Sequence, residues 1–379
     1  MSETIIIDNG TNTIRAGFSD DDVPRAIIPT VLGRPFSNGE SPEEEEEINE
    51  QMDIFIGDEA LEKGGILQLF HPITKGEIKD FSNMELIWKQ IFYNELLTDV
   101  KTQSVIMTEP PFASSSNKVE MAEILFDKIG VESLYIGNTS TLALYANGKT
   151  TGTVVDIGYQ TSSFAPIFEG FVLKHTLTKI DTGGKDLTDY FCHILSLRND
   201  NDKFISESQK SIINELKEKI CEVGDDYDSQ VKKCLDSKLV ETHTLPDGSK
   251  VFMTHEKYQC PELLFQPQLF NKNHGGIHEE TYRSIKLCDE DIKKDLFQNV
   301  ILCGGSSLFL NIRKKFEKEL QSLAPTGKSV KVIAPPERKY SSWLGGAILN
   351  SLPDFKTTLF VSKNDWIEAG ENILYDKYF

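Results

Sequence analysis

Apolar and polar positions alternate in two different rhythms along the chain. Near the start, "TIIIDNGTNTIRAGF" (4–18) sets a β-branched run on either side of a polar turn, which predicts a β-hairpin over 4–7 and 14–18. "TGTVVDIGYQTSSFAPIF" (151–168) repeats the arrangement and predicts strands over 153–155 and 163–168. A further strand-like piece follows each: "RAIIPTVLG" and "GFVLKHTLTKI". Helical spacing governs "NMELIWKQIFYNEL", with Asn83 as its expected cap, and "SNKVEMAEILFDKIG", with a Ser/Asn cap and a stop at Gly130. It also governs "STLALYANG" up to Gly148, "GKDLTDYFCHILSL", "SQKSIINELKEKICEV", "EETYRSIKLC" and "DEDIKKDLFQ". "HTLPDGSKVFM" reads as a strand pair around a Pro-Asp-Gly turn. "NVILCGGSS" reads as a buried strand feeding a helix over about 308–323. Strands alternating with helices make the fold class α/β.

The hairpin repeat organises the rest. In each copy an acid, Asp8 or Asp156, ends a strand and is followed by a glycine turn and hydroxyl residues. Such a turn presents backbone N–H groups to an anion, so the pattern is that of a phosphate clasp. A repeat at this scale predicts two related halves with the ligand in a cleft between them.

Composition narrows the choices. A chain of 379 residues exceeds one ordinary core, so two or more domains are expected. The net charge of -19 argues against direct nucleic-acid binding, which needs a basic face. The six cysteines form no CxxC pair and read as reduced thiols of a cytosolic or nuclear protein. No apolar run approaches membrane-spanning length, and "MSETIIIDNG" is not a signal peptide, so neither secretion nor a membrane span is expected. The stretch 40–50, "ESPEEEEEINE", carries seven glutamates and reads as a solvated loop.

The ordered motifs "DNGT", "AGF", "GRP", "GDEAL", "FYNEL", "TEPP", "LYANGKTTG", "GKDLTDYF", "LKEKIC", "LPDG", "CPELLFQP", "GIHEET", "GGSS" and "APPERKYSSWLGGAIL" resemble those of actin and the actin-related proteins over essentially the whole chain. The resemblance implies the actin-like ATPase fold: two RNase-H-like α/β domains, each with an inserted subdomain, around a cleft holding ATP or ADP with Mg²⁺. It divides the chain into an outer large subdomain (1–29, 72–146 and 341–379) with a small insertion (30–71). The inner large subdomain is 147–182 and 273–340, with its own insertion at 183–272.

The resemblance also assigns sites. Gly10, Thr11, Asn12 and Arg15 match the first phosphate loop, where Asn12 stands for a usual Gly and Arg15 for a usual Lys. Asp8 and Asp156 match the acids that orient water on Mg²⁺, and Gly158 matches the second phosphate loop. Gly184 matches the turn beside the nucleotide, and Lys217 and Glu218 the adenine and ribose contacts. Gly304, Gly305 and Ser306 match a third glycine loop, Phe309 an aromatic flank of adenine, and Lys339 a further adenine-side contact.

Departures from the family shape the functional expectation. Thr139 stands where a water-orienting glutamine is usual and Ser163 where a histidine is usual; Tyr159 and Gln160 replace an acid and a glycine. Neither hydroxyl reaches as far as Gln or His, so weak or absent hydrolysis is expected. The loop between "GRP" and "GDEAL" is about five residues longer than usual, an insertion such loops tolerate, and its acidity opposes insertion into an acidic neighbour. The plug after "LFQP" is more polar and carries Lys272. The expectation is therefore an actin-like, ATP-binding cytoskeletal protein of the cytoplasm, acting as a structural, capping or complex subunit. Its expected partners are actin, other actin-related proteins, or subunits of a cytoskeletal or motor-linked complex. The alternatives are a filament-forming ATPase and a nuclear subunit of a chromatin-remodelling complex.

Overall fold

In the computed structural model, β1 (Thr4–Asn9) buries all six of its residues. Its side chains alternate between two cores, as the pleat requires. Ile5 and Ile7 join Ile14, Trp88, Phe92 and Phe126 on one face, while Ile6 joins Ile106, Leu142 and Trp343 on the other. Such a strand needs helices on both sides, which explains its unbroken apolar run. The structure describes residues 3–36, 54–199, 207–237, 240–246, 248 and 250–378. The glutamate-rich stretch 40–50 lies outside them.

The chain divides into two compact units, Met1–Asn147 with Tyr340–Phe379, and Gly148–Lys339. In the first, β2 (Thr13–Phe18) forms a hairpin with β1, and β3 (Ala26–Pro29) extends it. An excursion follows: β4 (Leu32–Pro35), β5 (Phe55–Ile56) and β6 (Leu67–Phe70) make a small sheet, and β7 (Ile73–Thr74) and β8 (Glu77–Ile78) a short hairpin. The chain then returns through β9 (Ser104–Glu109) and β10 (Ser133–Asn138), both parallel to β1. The main sheet runs from Val361–Ser362 through β10, β9, β1 and β2 to β3. Helices Phe81–Gln90 and Ser115–Glu123 accompany one core, and Thr139–Tyr145 and Ser341–Asn350 the other.

In the second unit, β11 (Gly152–Ile157) and β12 (Ser162–Phe168) form the second hairpin. β13 (Phe171–Val172) and β14 (Thr178–Ile180) pair with β12. After helices Gly184–Asn199, Glu207–Ile220 and Tyr227–Ser237, β15 (Glu241–Thr244) and β16 (Lys250–Met253) form the expected strand pair. β17 (Val300–Cys303) lies parallel to β11, and β18 (Val332–Ile333) parallel to β17. Both units are thus mixed α/β sheets that begin with the same hairpin.

Three local expectations need correction. The cap of Phe81–Gln90 is Asp80, whose carboxylate accepts from the Asn83 amide; Asn83 lies inside the first turn. The helix expected from about 308 starts at Ile312: the Leu310 carbonyl accepts from the Val223 amide in an isolated bridge, and Asn311 takes a left-handed φ of 66° just ahead of the helix. Helix Tyr227–Ser237 is absent from the sequence reading, although Tyr227, Val231, Cys234 and Leu235 recur at helical spacing; none of its residues is buried. All six cysteines are free thiols, five of them buried. Among the described residues, no helix is long and apolar enough to cross a membrane.

Candidate functional site

Each unit carries a candidate phosphate-binding turn in its hairpin, and each turn is held differently. In the first unit the register places Asp8 directly opposite Arg15. Arg15 Nη1 donates to Asp8 Oδ2 at 2.9 Å, and its Nη2 donates to Thr13 Oγ1 at 3.1 Å. Thr108 Oγ1 donates to Asp8 Oδ1 at 2.8 Å and accepts from the Asn9 amide at 3.0 Å. Asn9 Oδ1 in turn accepts from the indole of fully buried Trp88. Asp8 thus sits at the end of a satisfied buried network, the arrangement that fixes a side chain most firmly.

The turn itself is anchored from outside. The Gly10 carbonyl accepts from Thr30 Oγ1 at 2.7 Å, and Thr11 Oγ1 accepts from the Gly76 amide at 3.0 Å. A Cβ on Gly10 would come within 2.4 Å of the Thr13 carbonyl, so the turn requires glycine there. Asn12 is exposed, and its carbonyl receives the Thr30 amide.

In the second unit main-chain groups do the holding. The Gly158 carbonyl accepts from the Gly184 amide at 2.9 Å and from Ser306 Oγ at 2.8 Å. The Tyr159 carbonyl accepts from the Lys185 amide at 2.7 Å. The N-terminus of Gly184–Asn199 is therefore tied to the second loop, and the Tyr159 ring lies against Gly184. Gly304 has φ +87°, and a Cβ there would meet Asp156 Oδ1 and the Ile157 carbonyl at 2.3 Å each. Gly305 is exposed, with nothing near its missing side chain. Asp156, Gly158, Gly184, Gly304 and Ser306 are thus brought together.

Arg338 was not singled out from sequence. Its guanidinium donates to the Ser307 carbonyl and Oγ and to the Pro335 carbonyl, and its own carbonyl receives the Gly304 amide. It braces the third glycine loop, and burial lowers its pKa. The signal was present in "PPERKY", but an arginine beside a lysine gives no clue to which one turns inward.

Other expected positions sit less openly. Lys217 is buried, and its ammonium donates to the Gly184 carbonyl, Thr188 Oγ1 and Asn214 Oδ1. Desolvation lowers its pKa. Its three donors are thus used inside the protein, binding Glu207–Ile220 to Gly184–Asn199. Glu218 is exposed and accepts from Asn214 Nδ2. Phe309 is buried in the second unit's core, so little of its ring remains for a ligand. Lys339 is half-buried in a short 3₁₀ turn, Arg338–Tyr340. Thr139 opens the helix capped by Asn138, and Ser163 is buried in β12 opposite Asp156.

These features fit a phosphate-bearing ligand: glycine turns with N–H groups, strand ends carrying acids, and a helix N-terminus joined to one loop. The fit to magnesium is uneven, since both Asp8 oxygens already accept protein hydrogen bonds. Among the described residues, no group of three or more His, Cys, Asp or Glu side chains forms a metal cluster on its own. The family model for actin matches residues 1–379, the full chain. With the duplicated hairpin and the mixed α/β sheets of both units, this places the chain in the actin family.

Proposed function

We propose that the chain binds ATP or ADP with magnesium through these loops, hydrolyses ATP only slowly, and serves as a structural, capping or complex subunit of the cytoskeleton. Family membership supports nucleotide binding, and the tied Gly158–Gly184–Ser306 loop supplies a rigid anion cradle for it. The observation that carries slow hydrolysis is Ser163. Its short side chain is 4% exposed on β12, at the position where the family resemblance expects a histidine. Thr139 is likewise one hydroxyl long where a glutamine is expected. Positioning a water in line with a γ-phosphate needs a polar group that reaches it, and a displacement of about 1 Å lowers the rate about 10²-fold.

In this reading 30–71 and 183–272 are insertions into the two large domains, and Asp156 and Asp8 are the acids facing the magnesium waters. The partners are actin, another actin-related protein, or subunits of a motor-linked complex in the cytoplasm. Purified protein should bind ATP and release phosphate at least about tenfold more slowly than conventional actin. The double substitution Thr139→Gln with Ser163→His should accelerate release. Phosphate release as fast as that of conventional actin would sink the reading. A robust pellet of pure protein on sedimentation with Mg-ATP would replace the subunit role by self-polymerisation.

A further inference from the structure

The turn over residues 181–184 is gripped from two sides. On one side lies the second loop: the Gly184 and Lys185 amides donate to the Gly158 and Tyr159 carbonyls. A Cβ on Gly183 would lie 2.7 and 2.6 Å from those same two oxygens. On the other side lies the segment 271–275, part of the plug in which the sequence places Lys272. Lys272 Nζ donates to Asp186 Oδ1 at 2.5 Å and to the Asp181 carbonyl at 3.4 Å. Asp186 Oδ2 accepts from the Gly183 amide at 3.0 Å, so one carboxylate both caps the helix beginning at Gly184 and anchors the lysine. His274 Nε2 lies 2.7 Å from Thr182 Oγ1, and its Nδ1 lies 2.9 Å from the Gly275 carbonyl. A carbonyl only accepts, so in the neutral ring Nδ1 carries the proton and Nε2 accepts from the Thr182 hydroxyl. Thr182 is buried, and its own carbonyl accepts from Ser162 Oγ at 2.7 Å.

We propose that Lys272 and His274 are positioning residues for the second loop: through the 181–184 turn they fix the amides that hold the Gly158 and Tyr159 carbonyls. The consequence for ligand affinity rests on the nucleotide-binding reading above; the effect on the loop does not. Residues 181–183 belong to neither a strand nor a helix, so no ladder holds them and side-chain contacts set their place. The Lys272–Asp186 bond is charge-assisted and only 27% and 20% exposed at its two side chains, which makes it stronger than a surface pair. Without the lysine, Asp186 keeps the Gly183 amide alone and the Asp181 carbonyl loses its side-chain donor. Without the histidine, the buried Thr182 hydroxyl loses its partner across the turn. Each loss lowers the free energy at which the turn opens locally, and the Gly184 and Lys185 amides then leave their carbonyls. The segment 271–275 thus serves this unit as an internal brace, through the same residues that make it more polar.

The test is hydrogen–deuterium exchange of the full chain without nucleotide, read by mass spectrometry on peptides covering 183–187 and, for reference, β17. Lys272→Met combined with His274→Ala should speed exchange over 183–187 by about tenfold or more and leave β17 unchanged. Lys272→Arg, which keeps the cation, should stay within about threefold of the natural protein. Lys272→Met alone gives the same readout, with a smaller acceleration, if the double variant does not fold. Calorimetric titration with ATP in magnesium chloride should show the double variant binding about tenfold more weakly. Unchanged exchange over 183–187 overturns the proposal. So does an equal acceleration in β17, which would mark a general loss of stability, and so does faster exchange over 183–187 with unchanged ATP affinity. No ATP binding by the natural protein overturns the nucleotide reading instead, and the exchange result still decides whether 271–275 braces the loop.

Discussion

The β1–β2 and β11–β12 hairpins start from nearly the same sequence grammar and are stabilised by different means. The first turn is governed by side-chain charge: Asp8 is clamped between Arg15 and Thr108. The second is governed by backbone groups: the Gly158 and Tyr159 carbonyls receive the amides of Gly184 and Lys185, with Ser306 adding one hydroxyl. A duplicated backbone therefore does not imply duplicated chemistry. At the position facing the acid, one copy has arginine and the other serine.

The comparison can be broken at its charged side with the largest effect. Asp8→Ala leaves a largely buried guanidinium without its partner and should destabilise the protein by about 3 kcal/mol in denaturant unfolding. A loss below about 1 kcal/mol would place the pair with ordinary surface bridges. On the backbone side, Gly304→Ala puts a methyl group at positive φ against Asp156 and Ile157. It should lose about 2 kcal/mol and weaken ATP binding in parallel. Ser306→Ala removes one hydrogen bond to the Gly158 carbonyl, which should lower the unfolding free energy by about 1 kcal/mol.

The smallest effect is a pH slope. Burial lowers the pKa of Lys217, so the folded protein holds that proton less tightly than the unfolded chain. Its contribution to stability therefore rises as pH climbs from the lowered folded value toward the ordinary lysine value of 10.5, and levels off above it. Thermal unfolding across this alkaline window should show a rising component that Lys217→Met removes. The same slope in both proteins would mean that another group carries it.

The repeat of strand, acid and glycine turn was legible because period-two alternation and turn residues are local properties. Gly130, at φ +88°, likewise marks the expected end of one helical segment, whereas its N-cap is Ser114, ahead of the expected Ser116 and Asn117. Less was legible where distant residues decide. Lys217 reads as a ligand contact, yet its donors turn to Gly184 and Thr188, carried on another helix. Arg338 gave no distinguishing signal, because apart from the nearby Pro335 carbonyl its acceptors are on Ser307, 31 residues upstream, and hydrogen-bond partners across that span have no local pattern. The bridge from Val223 to the Leu310 carbonyl, just ahead of the helix start at Ile312, is equally distant in sequence.

By itself the sequence determined the α/β class, the duplicated hairpin and the family, because composition, periodicity and motif order are written in the chain. Only the tertiary structure decided which charged groups face one another. Register set Arg15 against Asp8, and helix packing turned Lys217 inward. The physical reason is that the energy of a charge depends on burial and on partners within a few ångströms, and those neighbours are chosen by folding.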